Sequence, residues 1–233
     1  RGKGIAVFAF DDATGRGEML SQTDDIDNPC YLSLSPDGAT LFATSEVFNR
    51  KEGIAAAYAL DRAAGTLTYR NMQPTLGSIT AQNVVTADGR FLLVVNYAMG
   101  AGGPDQSLVV LPIGADGSLG PAVASVAHKG SGPNADRQER PHAHCVRQIG
   151  DVLLVADLGL DQIIAYRLAA DGGLARLGET RLAPGAGPRH IAATADGASV
   201  FVVNELSSTV QSFRHGGAGA LRPVSNCPAL PDG

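Results

Sequence analysis

The sequence predicts an all-β protein built as a propeller of four-stranded blades, and three observations predict it. Two strand–turn–strand patterns alternate along the 233-residue chain, they recur at a period near 50 residues, and no stretch sustains the 3.6-residue apolar period of a helix.

The first pattern is a short apolar strand followed by a glycine turn and, in most copies, a leucine. Its copies are GIAVFAFDDATG (residues 4–15), GIAAAYALDRAAGTL (53–67), SLVVLPIGADGSL (107–119), QIIAYRLAADGGL (162–174) and STVQSFRHGGAGAL (208–221). The leucines that end the last four, Leu67, Leu119, Leu174 and Leu221, are 52, 55 and 47 residues apart. The second pattern is an apolar segment, an Asp-Gly turn and a second apolar strand. Its copies are YLSLSPDGATLFATSEV (31–47), NVVTADGRFLLVVNY (83–97) and HIAATADGASVFVVNEL (190–206), with a degraded turn in HCVRQIGDVLLVADL (144–158). Asp-Gly between two β-rich runs marks a tight turn, because glycine takes positive φ without steric cost. Together the patterns supply about four strands per unit, as a propeller blade requires. A β-sandwich also carries turn signals, but has no reason to repeat one grammar at fixed spacing. Between four and five units are expected: the first starts at its last strand, and the chain stops at Asp232-Gly233 inside the unit after Leu221.

Composition bounds the function. With 44% hydrophobic and 18% charged residues the chain can bury a core. A formal net charge of −5, with no basic stripe, excludes a general binder of nucleic acid or anionic membrane. Cys30, Cys145 and Cys227 are odd in number and widely spaced, which argues against a disulfide framework and for a reducing, cytoplasmic location. No apolar run approaches the roughly 20 residues that cross a bilayer. The chain starts at Arg1, which fits either a removed signal peptide or residues missing at the front.

Four stretches carry a family resemblance: NPCYLSLSPDG (28–38), GSGPNADRQERPHAHCV (130–146), VADLGLDQIIAYRL (155–168) and GAGPRHIAATADGASVFVVNELSSTV (185–210). In this order they resemble the seven-bladed lactonase family, whose members include 6-phosphogluconolactonase and 3-carboxy-cis,cis-muconate cyclase. The most specific is GPRH followed by a strand and NEL. The resemblance implies a seven-bladed propeller of which residues 1–233 form one incomplete domain of about five blades. About two C-terminal blades and one N-terminal strand are expected beyond it, the tail NCPALPDG resembling the lead into a sixth blade. It also implies an active-site arginine in later blades, for which this chain has no matching position.

Candidate chemistry follows the innermost strands, where polar groups from different blades converge on one channel. A lactone site must polarise a carbonyl, position a water and neutralise an acidic substituent. His144, in PHAHC, matches the second histidine of the family motif, which implies a hydrogen-bond donor to the lactone oxygen or a general acid. Without the motif, a loop histidine would more often bond a backbone carbonyl. Arg189, in GPRH, matches the motif arginine, and its planar fork of donors suits a carboxylate or phosphate. Glu205 follows the apolar run VFVVN, where a carboxylate needs a partner; Arg189, across the same hairpin, is the expected one, and general base on water, proton relay or a hold on Arg189 the expected role.

Further substrate-binding candidates are His142, two residues from His144 in an extended segment, and Asn96, Asn204 and Glu46, polar residues at comparable strand ends. Arg137 joins them from residues 130–142, read as a loop over the channel mouth, with Arg140 beside it. His190 is expected to face packing on the opposite side of its strand from Arg189. No metal and no cofactor are expected, since His142 and His144 have no matching ligand set at suitable spacing.

The leading reading is hydrolysis of a sugar-acid lactone, first 6-phosphogluconolactone in hexose metabolism. Cycloisomerisation of 3-carboxy-cis,cis-muconate is the second, and both substrates are small anions. A non-enzymatic interaction platform is the third; the absence of tryptophan and 5% aromatic content weigh against it.

Overall fold

The computed structural model describes residues 3–99 and 102–230. Five antiparallel sheets follow one another along the chain. The first pairs β1 (Lys3–Asp11) with β2 (Arg16–Asp27). The second holds β3 (Pro29–Leu34), β4 (Thr40–Ser45), β5 (Ile54–Asp61) and β6 (Thr66–Pro74). The third holds β7 (Thr80–Val85), β8 (Phe91–Asn96), β9 (Leu108–Pro112) and β10 (Ala124–Val126). The fourth holds β11 (Ala143–Ile149), β12 (Val152–Asp157), β13 (Gln162–Leu168) and β14 (Leu174–Arg181), and the fifth holds β15 (Pro188–Ala193), β16 (Ser199–Asn204), β17 (Thr209–His215) and β18 (Leu221–Pro228). Strands are neighbours in sequence order within every sheet, the meander of a propeller blade. The one helical element among the described residues is a 3₁₀ turn, Leu158–Leu160. Residues 231–233, the end of the tail NCPALPDG, lie outside the described residues.

The first sheet corrects one expectation: two strands are present before β3, paired as third and fourth strands are elsewhere. The second of them was illegible because RGEMLSQTDDID is polar and almost wholly exposed, so no apolar alternation marks it.

The Asp-Gly turns form as their sequences dictate. In Ser35-Pro-Asp37-Gly38, Thr86-Ala-Asp88-Gly89 and Thr194-Ala-Asp196-Gly197 the aspartate accepts from the Ser or Thr hydroxyl two residues back, at 2.5, 2.6 and 2.5 Å. The glycines sit at φ +69°, +73° and +68°, where a side chain would be strained.

Burial explains the composition of the central strands. In β4, β8 and β12 every residue is buried, because a neighbouring sheet packs on each face. Their sequences TLFATS, FLLVVN and VLLVAD are therefore near-continuous apolar runs, not alternating ones. In β16 the alternation returns: Val200 and Val202 are buried, while Phe201 and Val203 are exposed. Four apolar clusters fill the spaces between successive sheets.

The first strands of the full sheets stand side by side, β3 beside β7, β7 beside β11 and β11 beside β15. Polar bonds join them. Asn83 Nδ2 donates to Tyr31 O at 3.2 Å, Val146 N donates to Gln82 Oε1 at 2.7 Å, and Ile191 N meets Cys145 Sγ at 3.3 Å. Cys30 Sγ donates to Thr80 O at 3.0 Å.

Gln82 is buried, and its loss would leave the Val146 N–H without its partner. Gln82→Ala in the complete protein is expected to cost about 1–3 kcal/mol. Urea unfolding should show a lower midpoint at unchanged slope. An unmoved midpoint would show that this link between blades contributes nothing.

Candidate active site

One irregularity, repeated in four blades, builds the cavity. Each first strand pairs with its second strand through a register shift at the same place: between Pro29 and Tyr31, Thr80 and Gln82, Ala143 and Cys145, and Pro188 and His190. The extra residues are Cys30, Ala81, His144 and Arg189. A bulge leaves its extra residue out of the ladder and re-aims its side chain. All four line a single cavity of about 630 Å³ at the convergence of the first strands.

A second repeated feature supplies the facing wall. The residue after each second strand donates its N–H to the residue two before the bulge: Glu46 N to Asn28 O at 3.1 Å, Tyr97 N to Ile79 O at 2.8 Å, Leu158 N to His142 O at 3.0 Å and Glu205 N to Gly187 O at 2.7 Å. Glu46, Tyr97 and Glu205 thereby reach the cavity. Three of the accepting residues have positive φ: Asn28 at 44°, Ile79 at 51° and Gly187 at 64°. Glycine accepts this without strain. The β-branched Ile79, itself a cavity residue, stores of order 1–3 kcal/mol there.

Arg137, Arg189 and Glu205 form one charged cluster. Glu205 Oε1 lies 2.5 Å from Arg137 Nη2, and Oε2 lies 2.8 Å from Arg189 Nε. The second contact is an ion pair without hydrogen-bond alignment, since the buried Arg189 Nε–H has no aligned acceptor. Arg137 Nη2 also donates to Tyr97 Oη at 3.4 Å. That bond first, and Glu205 next, push the Arg137 pKa up.

His144 packs between two rings. It meets Tyr97 edge-on at 6.1 Å and His190 edge-on at 5.0 Å, and its buried Nδ1 has no partner. Burial first, then the Arg189 guanidinium and His190, hold its pKa down to about 3. The imidazole is therefore neutral across the physiological range. It has one N–H to donate and cannot act there as an imidazolium acid. His190 lies on the cavity wall, which corrects its expected place in packing: the bulge before it breaks simple alternation. Arg189 Nη1 lies 3.0 Å from His190 Nε2. Arginine only donates, so Nε2 accepts and the proton of the neutral ring sits on Nδ1.

The structure brings His144, Arg189, Glu205, Arg137 and Glu46 together at the cavity, and leaves His142, Asn96 and Asn204 behind it. His142 lies under Tyr97, stacked at 4.1 Å, with Nδ1 donating to Tyr97 O at 2.6 Å and Nε2 3.1 Å from Glu139 Oε2. The carbonyl-bound histidine is thus His142, while His144 is the open one. Asn96 closes loops, donating to Thr75 O at 2.8 Å and Gln106 O at 2.9 Å, and Asn204 donates to Thr209 Oγ1 at 3.0 Å. Both asparagines stand one residue before the cavity-facing position, at the last rung of the second strand. Arg140 turns away to Asp105 at 3.1 Å.

Sequence reasoning missed Cys30, Tyr31, Phe48, Ile79, Tyr97 and Met99 on the wall. Aligning the repeats gives Cys30 and Tyr97, because they occupy the places of Arg189 and Glu205 in other blades. The remainder carry no such signal.

The family described as "Lactonase, 7-bladed beta-propeller" matches residues 1–233. The chain is 34% identical over 208 residues to a 6-phosphogluconolactonase of Bacillus subtilis, covering 88% of this chain and 57% of that protein. It is 31% identical over 218 residues to one from Formosa agariphila, covering 91% and 60%. Among solved structures, the periplasmic gluconolactonase of Pseudomonas aeruginosa superposes with a TM-score of 0.89 at 33% identity, covering 99% of this chain and 66% of that one. The chain thus spans about three fifths of the length of these curated relatives.

The low pKa of His144 has a consequence for stability. A histidine with pKa 6.5 when unfolded and about 3 when folded contributes stability that is complete above 6.5 and is lost as pH falls toward 3. His144→Gln is therefore expected to flatten the stability–pH curve across that window. Chemical denaturation at a series of pH values checks this, and curves that stay parallel would show that His144 takes up its proton in the fold as readily as in the unfolded chain.

Proposed function

The chain belongs to the seven-bladed β-propeller lactonase family, and from that membership we propose that the protein opens a sugar-acid lactone by adding water to the ring ester. The convergence of a neutral histidine, two arginines and a carboxylate on one cavity carries this reading.

Each group has a role set by its chemistry. The neutral His144 N–H donates to the lactone carbonyl oxygen as it gains negative charge. Arg189 adds positive charge at the same oxygen or at an anionic substituent, and Arg137 is the second cationic site. Glu205 takes a proton from the attacking water. Water oxygen bonds to the carbonyl carbon, the bond from that carbon to the ring oxygen breaks, and the ring oxygen receives the proton from Glu205. The product is the open hydroxy acid, with no proton left over.

The substrate proposed first is 6-phosphogluconolactone, since two relatives bear that activity in their names. The unphosphorylated lactone is the natural comparison, given the gluconolactonase neighbour. No helix among the described residues is long and apolar enough to cross a membrane. We assign the protein to the cytoplasm, a reading that the free Cys30, Cys145 and Cys227 support.

The complete protein is expected to hydrolyse freshly made 6-phosphogluconolactone well above the spontaneous rate. His144→Ala and Arg189→Ala should each lower kcat/KM by about 100-fold or more. A folded wild type that leaves both the phosphorylated and the unphosphorylated lactone unhydrolysed would sink the lactonase reading and favour lactone-forming cyclisation of a carboxylate.

A further inference from the structure

Asp161 lies behind the cavity wall, yet it is bonded to the supports of Arg137, Arg189 and Glu205. It follows the 3₁₀ turn, in left-handed backbone conformation at φ 54°, and is buried. Its Oδ1 accepts from Gln138 Nε2 at 2.8 Å and from Gly187 N at 2.8 Å, and its Oδ2 accepts from Gly185 N at 2.7 Å. No cation pairs with it among the described residues; three neutral donors solvate the carboxylate.

The three bonds lead outward to the charged cluster. Gln138 is the residue after Arg137 and pins the 130–142 loop, donating also to Leu158 O at 2.8 Å and accepting from Asn134 N at 3.2 Å. The same loop runs so close over the 3₁₀ turn that a Cβ on Gly159 would sit 1.8 Å from Arg140 O. Gly185 and Gly187 form the segment that delivers Arg189. Gly187 gives its N–H to Asp161 and its carbonyl to Glu205 N at 2.7 Å. One carboxylate thus ties the backbone that presents Arg137 to the backbone that presents Arg189 and Glu205. The equivalent places before the third strands of the other full sheets hold Gly53, Ser107 and Ser208, so this tie belongs to the fourth blade alone.

We propose that Asp161 is a positioning residue for the reaction: it sets the spacing of the two guanidiniums about Glu205 through Gln138, Gly185 and Gly187, without touching substrate. This rests on the lactonase reading for its catalytic consequence, but not for its geometric one. An amide at this place turns one acceptor into a donor that faces another donor, so Asp161→Asn breaks at least one arm while changing little volume.

The test uses the complete protein labelled with ¹⁵N-arginine, together with lactone kinetics. Asp161→Asn is expected to shift the Nε–Hε resonances of both Arg137 and Arg189 and to lower kcat/KM by about 10- to 100-fold. In an Arg189→Ala background it should lower kcat/KM by a smaller factor than in the wild type, because one of the two guanidiniums it positions is already gone. Gln138→Leu cuts one arm only, and should move the Arg137 resonance and leave that of Arg189 in place. It decides the matter if Asp161→Asn fails to fold. Unmoved Arg137 and Arg189 resonances in Asp161→Asn, an unmoved Arg137 resonance in Gln138→Leu, or a loss that multiplies in full with Arg189→Ala, would overturn the proposal. A wild type without lactonase activity would remove the catalytic consequence alone, and the resonances would still decide the positioning.

Discussion

The bulge at the second residue of each first strand, locked by the bond from the residue after the second strand, is the constraint from which the site follows. A regular ladder at that place would send alternate side chains to the two faces of the blade, into the apolar clusters between sheets. The extra residue escapes this alternation and turns to the axis. Because the constraint is a backbone feature, it tolerates any side chain at the bulge. Four blades place Cys30, Ala81, His144 and Arg189 there. Among these four, two adjacent blades present an imidazole and a guanidinium, while the other two present a thiol and a methyl group toward the same space.

The cavity combines two electrostatic regimes. On one wall Arg137 and Arg189 share Glu205, placing two guanidiniums against one carboxylate. Beside it His144 is kept neutral by burial and by Arg189. The arrangement makes physical sense for a reaction in which charge appears on a carbonyl oxygen. A neutral N–H and a fixed guanidinium are already oriented, so little reorganisation is needed as charge develops. The unpartnered Nδ1 of His144 is a cost in the free protein, of the kind expected where a ligand or water completes the bonding.

Much of this was legible in the chain. The strand–turn–strand grammar gave the blades because turn residues and apolar runs are local signals. His144, Arg189 and Glu205 stood out in PHAHC, GPRH and NEL, motifs that survive as short strings. Asn96 and Asn204 misled because a polar residue closing an apolar strand reads the same whether it faces the channel or bonds the loop behind it. The decisive offset is one residue, and the bulge sets it. His142 misled for a related reason: spacing of two in an extended segment implies a shared side, but the ring slides under Tyr97. The strand β2 was missed because an exposed edge strand carries no apolar alternation.

The sequence by itself determined the architecture: the repeated strand–turn–strand units, the places of their Asp-Gly turns, and which charged side chains are candidates for chemistry. These are properties of hydrophobic period and turn residues, and they need no partner in space to be read. Only the tertiary structure decided which polar groups meet. Arg137 and Glu205 are 68 residues apart in the chain and in contact in space. Asp161, 24 and 26 residues from the glycines it holds, lies in the stretch VADLGLDQIIAYRL, which says nothing of those partners. Contacts of that kind depend on the curvature of one blade against the next and on a single bulged residue, and neither is written in any local window of the chain.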